Sequence, residues 1–178
     1  IAEAEGTVNI TSDEFTSSSG CAIMHPRKNT LDLFDNPSIH RKKSEISGRF
    51  ITVASDAQTI RRVDVIDSAR AEFSEPINPL ETDFDRSILT GRRILLDFVA
   101  GDLRTVTCYN QAYSWYNPAP VHKEEQIENT VSGDTIRFYV SNEQLQEVEV
   151  TGGAIGSYLS STRTEQDSVV QVATDTVN

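Results

Sequence analysis

Three Ser/Thr-Gly pairs, Ser47-Gly48, Thr90-Gly91 and Ser132-Gly133, recur at intervals of 43 and 42 residues, and the same pattern surrounds each of them. An apolar residue precedes each pair: Ile46, Leu89 and Val131. Three residues past the glycines stand Ile51, Ile94 and Ile136, and two further on Val53, Leu96 and Phe138. A polar turn follows, carrying Ser55-Asp56, Gly101-Asp102 or Ser141-Asn142. Then come Ile60, Leu103 and Leu145, followed by Val63, Val106 and Val148, and by Val65, Cys108 and Val150. Each copy closes on an alanine (Ala69, Ala112, Ala154) and an aromatic residue (Phe73, Tyr116, Tyr158). A period of this length marks a chain built by stacking one supersecondary unit.

The unit reads as strand, turn, strand. Side chains alternate across an extended strand, so apolar residues two apart share one face. The intervening Gly, Asp, Asn and Ser supply a hairpin turn. The opposite face is mostly polar, with Thr52, Asp64, Arg137 and Glu149, and Leu95 and Tyr109 mark a partly covered patch in the middle copy. Helical spacing is not sustained anywhere. One hairpin cannot bury its apolar face alone, whereas stacked hairpins share a continuous interior. About 20 apolar side chains at roughly 1.5–3 kcal/mol each would offset much of the ordering entropy. The expected fold is all-β: stacked antiparallel hairpins forming an elongated jellyroll. Residues 1–160 form a single domain, with full units at 46–73, 89–116 and 131–158 and a partial one at 8–41. In the partial unit Val8 and Ile10 alternate as in a first strand, Leu31 and Leu33 begin a second, and Ser18-Ser19-Gly20 resembles a turn. Linkers at about 74–88 and 117–130, both with Asn-Pro and acidic residues, read as surface loops. Residues 161–178 are a polar tail or the start of a further strand, with a strand candidate at Val169–Ala173.

Composition excludes several functions. A net charge of −11 leaves no basic face to displace counterions from phosphates, so nucleic acid is not an expected partner. No run approaches the ~20 apolar residues of a membrane-spanning helix. Cys21 and Cys108 are too few for a disulfide scaffold; they read as small buried hydrophobes, with one long-range bridge in an oxidising compartment as the alternative.

Catalytic and metal motifs are missing. His25, His40 and His122 are scattered with no ligand spacing, so no metal site is expected. Glu81-x-Asp83-x-Asp85 lacks the glycine and terminal glutamate of a calcium loop and reads as a solvated acidic segment. No Gly-x-Ser-x-Gly elbow anchors a nucleophile. Thr151-Gly152-Gly153-Ala154-Ile155-Gly156 has no helix pattern behind it, so strand packing is its use rather than phosphate binding. Tyr109, Tyr113 and Trp115 share one strand face and Tyr116 the other, as packing residues or a sugar-stacking platform. Arg61-Arg62 and Arg92-Arg93 are surface charge or partners for lipid phosphates. The repeat places no carboxylates at equivalent positions, which disfavours a carbohydrate-active enzyme.

The unit resembles those of the OstA/LptA family. Ser132-Gly133-Asp134-Thr135-Ile136, Leu145 through Val148 and Val150, Gly153-Ala154 and Tyr158 follow the family pattern best, and the likeness runs from Val8 to Tyr158. The inter-repeat loops are longer and the charge more negative than in the family's bridge proteins, so the chain is similar to a divergent OstA-like member. The resemblance implies a V-shaped jellyroll with an apolar trough. It implies a non-enzymatic protein, with no cofactor, that carries lipopolysaccharide by its lipid A acyl chains across the periplasm, free or associated with the outer membrane. The trough positions are Ile51, Val53, Val63, Val65, Ile94, Leu96, Val106, Cys108, Ile136, Phe138, Val148 and Val150. Partners would be other lipopolysaccharide-transport proteins joined through edge strands, or further copies associating end to end. The alternative is a structural β-solenoid, a scaffold or adhesin segment with a filled core and no ligand.

Overall fold

The computed structural model describes residues 1–56, 59–76, 84–118, 125–142, 144–163 and 168–176. They form thirteen antiparallel strands with no helix: β1 (Ala2–Thr11), β2 (Thr16–His25), β3 (Thr30–Phe34), β4 (Ser38–Arg41), β5 (Ser44–Ser47), β6 (Phe50–Ser55), β7 (Ile60–Pro76), β8 (Phe84–Val99), β9 (Asp102–Asn117), β10 (Glu125–Ser141), β11 (Gln144–Thr151), β12 (Ile155–Arg163) and β13 (Ser168–Thr176).

The long strands run through a bend, and the bend makes the fold. The second half of β8 pairs with the first halves of β7 and β9, while its first half pairs with their second halves. β10 likewise pairs with β11 beyond Gly133 and with β12 before it. The pairings therefore sort into two walls joined along a spine. One wall contains β3, β6 and β11 with half of each long strand, and the other contains β4, β5, β12 and β13 with the remaining halves. A single apolar core takes Ile51, Val65, Ile94 and Ile136 from the first wall and Ile39, Ile46, Ala71 and Leu89 from the second. The result is a V with one interior.

At each bend two successive residues adopt left-handed backbone: Asp35-Asn36, Asp67-Ser68, Asn110-Gln111 and Gly152-Gly153. Opposite them lie Gly20 and the three repeat glycines. A Cβ on Gly48, Gly91 or Gly133 would come within 3.0 Å of Val65, Cys108 or Val150 respectively, closer than side chains approach one another. The repeat glycine is therefore where two backbones meet at the spine.

Several sequence expectations change. The segments read as surface loops are strand at their ends: β7 reaches Pro76, β8 begins at Phe84, β9 runs to Asn117 and β10 begins at Glu125. Ladder pairing to already formed neighbours extends these strands beyond their apolar residues. Ser18-Ser19-Gly20 is no turn but the middle of β2, paired with β1 on one side and meeting Asp35 on the other. β13 spans Ser168–Thr176, longer than the expected Val169–Ala173, and pairs along β12.

Candidate functional site

The candidate site is the interior of the V. All twelve predicted trough residues lie on strands of the first wall, in cross-strand rows such as Ile51, Val65, Ile94, Cys108, Ile136 and Val150. The register also draws Ile60, Leu103 and Leu145 toward this face. Just after the turn in each copy one residue, Arg61, Arg104 or Gln146, is skipped in the ladder, opposite the steps Ala54 to Ser55, Asp97 to Phe98 and Tyr139 to Val140. The extra residue offsets the odd spacing of three between Ile60 and Val63.

Burial divides the interior along its length. Ile51, Val65, Ile94, Cys108 and Ile136 are 0% exposed, and Val53, Val63, Leu96 and Val106 no more than 4%. These nine are packed against protein. Phe138 and Val150 are half-buried, and Val148 is 42% exposed, with Leu145 at 57% and Tyr158 at 46%. The same repeat position thus serves as closed core in the first two copies and as accessible apolar surface in the third.

The facing wall differs in chemistry. Its innermost row runs Ser17, Ile39, Ile46, Ala71, Leu89, Ser114, Val131 and Gly156. Ser17, Ala71, Ser114 and Gly156 are smaller than the aliphatics opposite, while Ile39, Ile46 and Leu89 match them in size, and both rows pack into one core. Nearer the mouth come Phe73, Ser87, Tyr116, Asn129 and Tyr158. The Tyr116 hydroxyl donates to Asp85 at 3.0 Å. In the third copy, an apolar wall of Phe138, Val148 and Val150 therefore belongs to the same V as a rim of Tyr116, Asn129 and Tyr158.

The mouth is bridged at the other end. Glu14, in the turn between β1 and β2, accepts a hydrogen bond from the backbone N–H of Ile60 at 3.0 Å. Arg41, at the end of β4, donates to the carbonyl of Gly101 at 3.1 Å, with its guanidinium 5.4 Å from the centre of the Phe98 ring. Both contacts join turns from opposite walls. Neither was visible in the sequence, because each partner is 46 or 60 residues away and outside the repeat pattern.

The outer face is a polar ladder. Arg93 forms a two-pronged pair with Asp64 at 2.8 and 2.7 Å, and Arg62 pairs with Asp97 at 2.7 and 2.6 Å. These arginines, considered for lipid phosphates, are engaged with carboxylates on neighbouring strands. The Asp64 carboxylate raises the Arg93 pKa further, chiefly through that hydrogen bond. His25 lies 3.2 Å from Asp32, a cross-strand pair without further ligands, and no metal-holding group of three occurs among the described residues. Trp115 donates its indole N–H to Glu128 and Tyr113 is 41% exposed, so the odd-numbered aromatics lie on the outer face. Glu81 and Asp83 of the acidic segment fall outside the described residues. Both cysteines are free; Cys108 is sealed in the core, where burial pushes its thiol up to about 12.

No protein-family profile matches the chain, and no curated protein matches it. Among solved structures, the fold is similar to that of LptH, the LptA-homologous periplasmic component of the conserved lipopolysaccharide transport device from Pseudomonas aeruginosa. The likeness has a TM-score of 0.55 at 14% sequence identity and covers 78% of this chain and 82% of that one. At this identity the likeness is one of fold.

Proposed function

We propose that this chain is a non-enzymatic lipid-binding protein of the OstA/LptA kind. It would hold lipopolysaccharide by its lipid A acyl chains during transport across the periplasm to the outer membrane. The observation that carries this reading is one repeat position, sealed at Val63 and Val106 (2% and 3% exposed) and open at Val148 (42%), with Phe138 and Val150 half-buried beside it. The fold shared with a periplasmic lipopolysaccharide-transport component supports it. An acyl chain lying along this surface gains about 0.8 kcal/mol per buried methylene. The polar rim of Tyr116, Asn129 and Tyr158 suits the headgroup side of an amphiphile. Edge strands β1, β11 and β13 each have one paired neighbour among the described residues. Their free edges suit strand addition by another transport protein or a second copy.

The purified protein is expected to retain lipopolysaccharide or lipid A when passed over a sizing column, as a known transport protein does in parallel. One observation favours the second reading, a filled structural solenoid: nine of the twelve trough positions are packed at 4% exposure or less. Failure to retain either lipid while folded would select that reading.

A further inference from the structure

The interior has two ends with opposite character, and two charged side chains bridge one of them. Glu14 and Arg41 belong to different strand connections of one wall, and each reaches a hairpin end of the other wall. Beneath them lie Ile60 and Phe98, 6% and 7% exposed. The turn carrying Glu14 is itself fixed: the backbone N–H groups of Glu14 and Phe15 both donate to the Ser12 hydroxyl, at 3.3 and 3.1 Å. The backbone that carries the carboxylate is thus fixed. Arg41 makes both a hydrogen bond and a ring contact, a geometry that a lysine ammonium does not reproduce.

What lies behind this closure is not purely apolar. Ser17 and Ser19, 5% and 8% exposed, have hydroxyls with no hydrogen-bond partner among the described residues. Their ladder neighbours are Ile10, Val8 and Ile39. A buried hydroxyl without a partner is costly, so the closed state seals in polar groups that a guest bearing an ester or hydroxyl would satisfy.

We infer that Glu14 and Arg41 form a clasp across the mouth of the V that limits how far an amphiphile's acyl chain reaches along the interior. With the clasp shut, the chain is confined to the third copy, against Val148. Release of the clasp extends the accessible interior to Phe98 and bares more of Leu103, which is half-buried with the clasp shut. This rests on the lipid-binding reading for the identity of the guest, but the closure itself does not.

Two readouts on the full chain separate these points. In the first, Leu103→Cys is placed in a Cys21→Ser background and labelled with a maleimide in the absence of lipid. The clasp predicts that adding Glu14→Ala and Arg41→Ala raises the labelling rate about 10-fold, the effect of losing hydrogen bonds to charged groups. An unchanged rate, with native circular dichroism, overturns the clasp. In the second, a photocrosslinking amino acid at position 103 or 148 is irradiated with lipid A. Crosslinking at 148 alone in the otherwise unaltered chain, extending to 103 in the double variant, is expected. Equal crosslinking at both positions with the clasp intact overturns the length limit. Faster labelling with no crosslink at either position in any variant leaves the closure standing and rejects lipid A as the guest.

Discussion

Gly91 shows how much of this fold is set by single residues. A Cβ there would collide with the Cys108 sulfur and approach the Tyr109 carbonyl to 3.1 Å. Both neighbours are fixed, one in the core and one in the backbone. Gly91→Ala is therefore expected to destabilise by about 1–3 kcal/mol, as overpacking does, seen as a lower urea midpoint. Gly153→Ala meets open space and differs, its cost arising only from a φ of 61°. Cys108 offers a second test at this scale. Its folded pKa, raised by burial from 9.0 to about 12, means that the folded protein keeps a proton that the unfolded chain loses. The associated stability is fully present below pH 9 and declines as pH rises from there toward 12. Replacing Cys108 by alanine is expected to flatten stability against pH over that interval, measured by denaturant titration; an identical slope would contradict the assignment. The repeat glycine and the apolar positions after it were legible in the sequence because their spacing is strictly local. The collision that makes glycine obligatory was not, since it involves the residue seventeen positions on, across the bend.

Among the elements, the bends are where sequence pattern and structure part company. Four pairs of residues in left-handed conformation turn the chain from one wall into the other, yet only one pair is Gly-Gly. Asp67-Ser68 and Asn110-Gln111 hold the same place in the earlier copies, and Gln111, at φ 60°, carries the side chain least suited to it. Gln111→Gly is expected to stabilise the fold by up to about 1 kcal/mol through relief of this strain, read as a rise in melting temperature. A fall would mean that the glutamine side chain contributes more than its backbone costs. The three-residue step from Ile60 to Val63 was visible, but an alternating pattern does not announce a bulge. Strand ends depart from local sequence pattern for a related reason. Residues such as Ser74, Asn117 and Asn129 have turn-forming chemistry, and ladder hydrogen bonds to long neighbours override that local preference.

Across the whole molecule, a single repeated unit yields an interior that changes from packed core to accessible surface. The sequence makes the three copies look equivalent: Val63, Val106 and Val148 hold the same place in the unit. Their exposures are 2%, 3% and 42%. Val63 and Val106 stand on β7 and β9, each flanked by strands on both sides, whereas Val148 stands on β11, which has one paired neighbour among the described residues; at the other end Glu14 and Arg41 also link the facing turns. Such long-range closure has no periodic signature, so the stack was legible and the accessible end was not. The outer face is stabilised by cross-strand pairs such as Asp64 with Arg93, each worth up to ~1 kcal/mol at this exposure, whereas the proposed guest surface lies inside the V.

Lipid A retention by the Val148→Asp variant tests that location most directly. Position 148 is exposed enough for a carboxylate to remain solvated in the empty protein, so the fold is expected to survive with unchanged circular dichroism. The unaltered chain is expected to retain lipid A through a sizing column and Val148→Asp to lose it at least about 10-fold, since an acyl chain cannot desolvate the charge cheaply. Equal retention by the two proteins, or none by either, would contradict it.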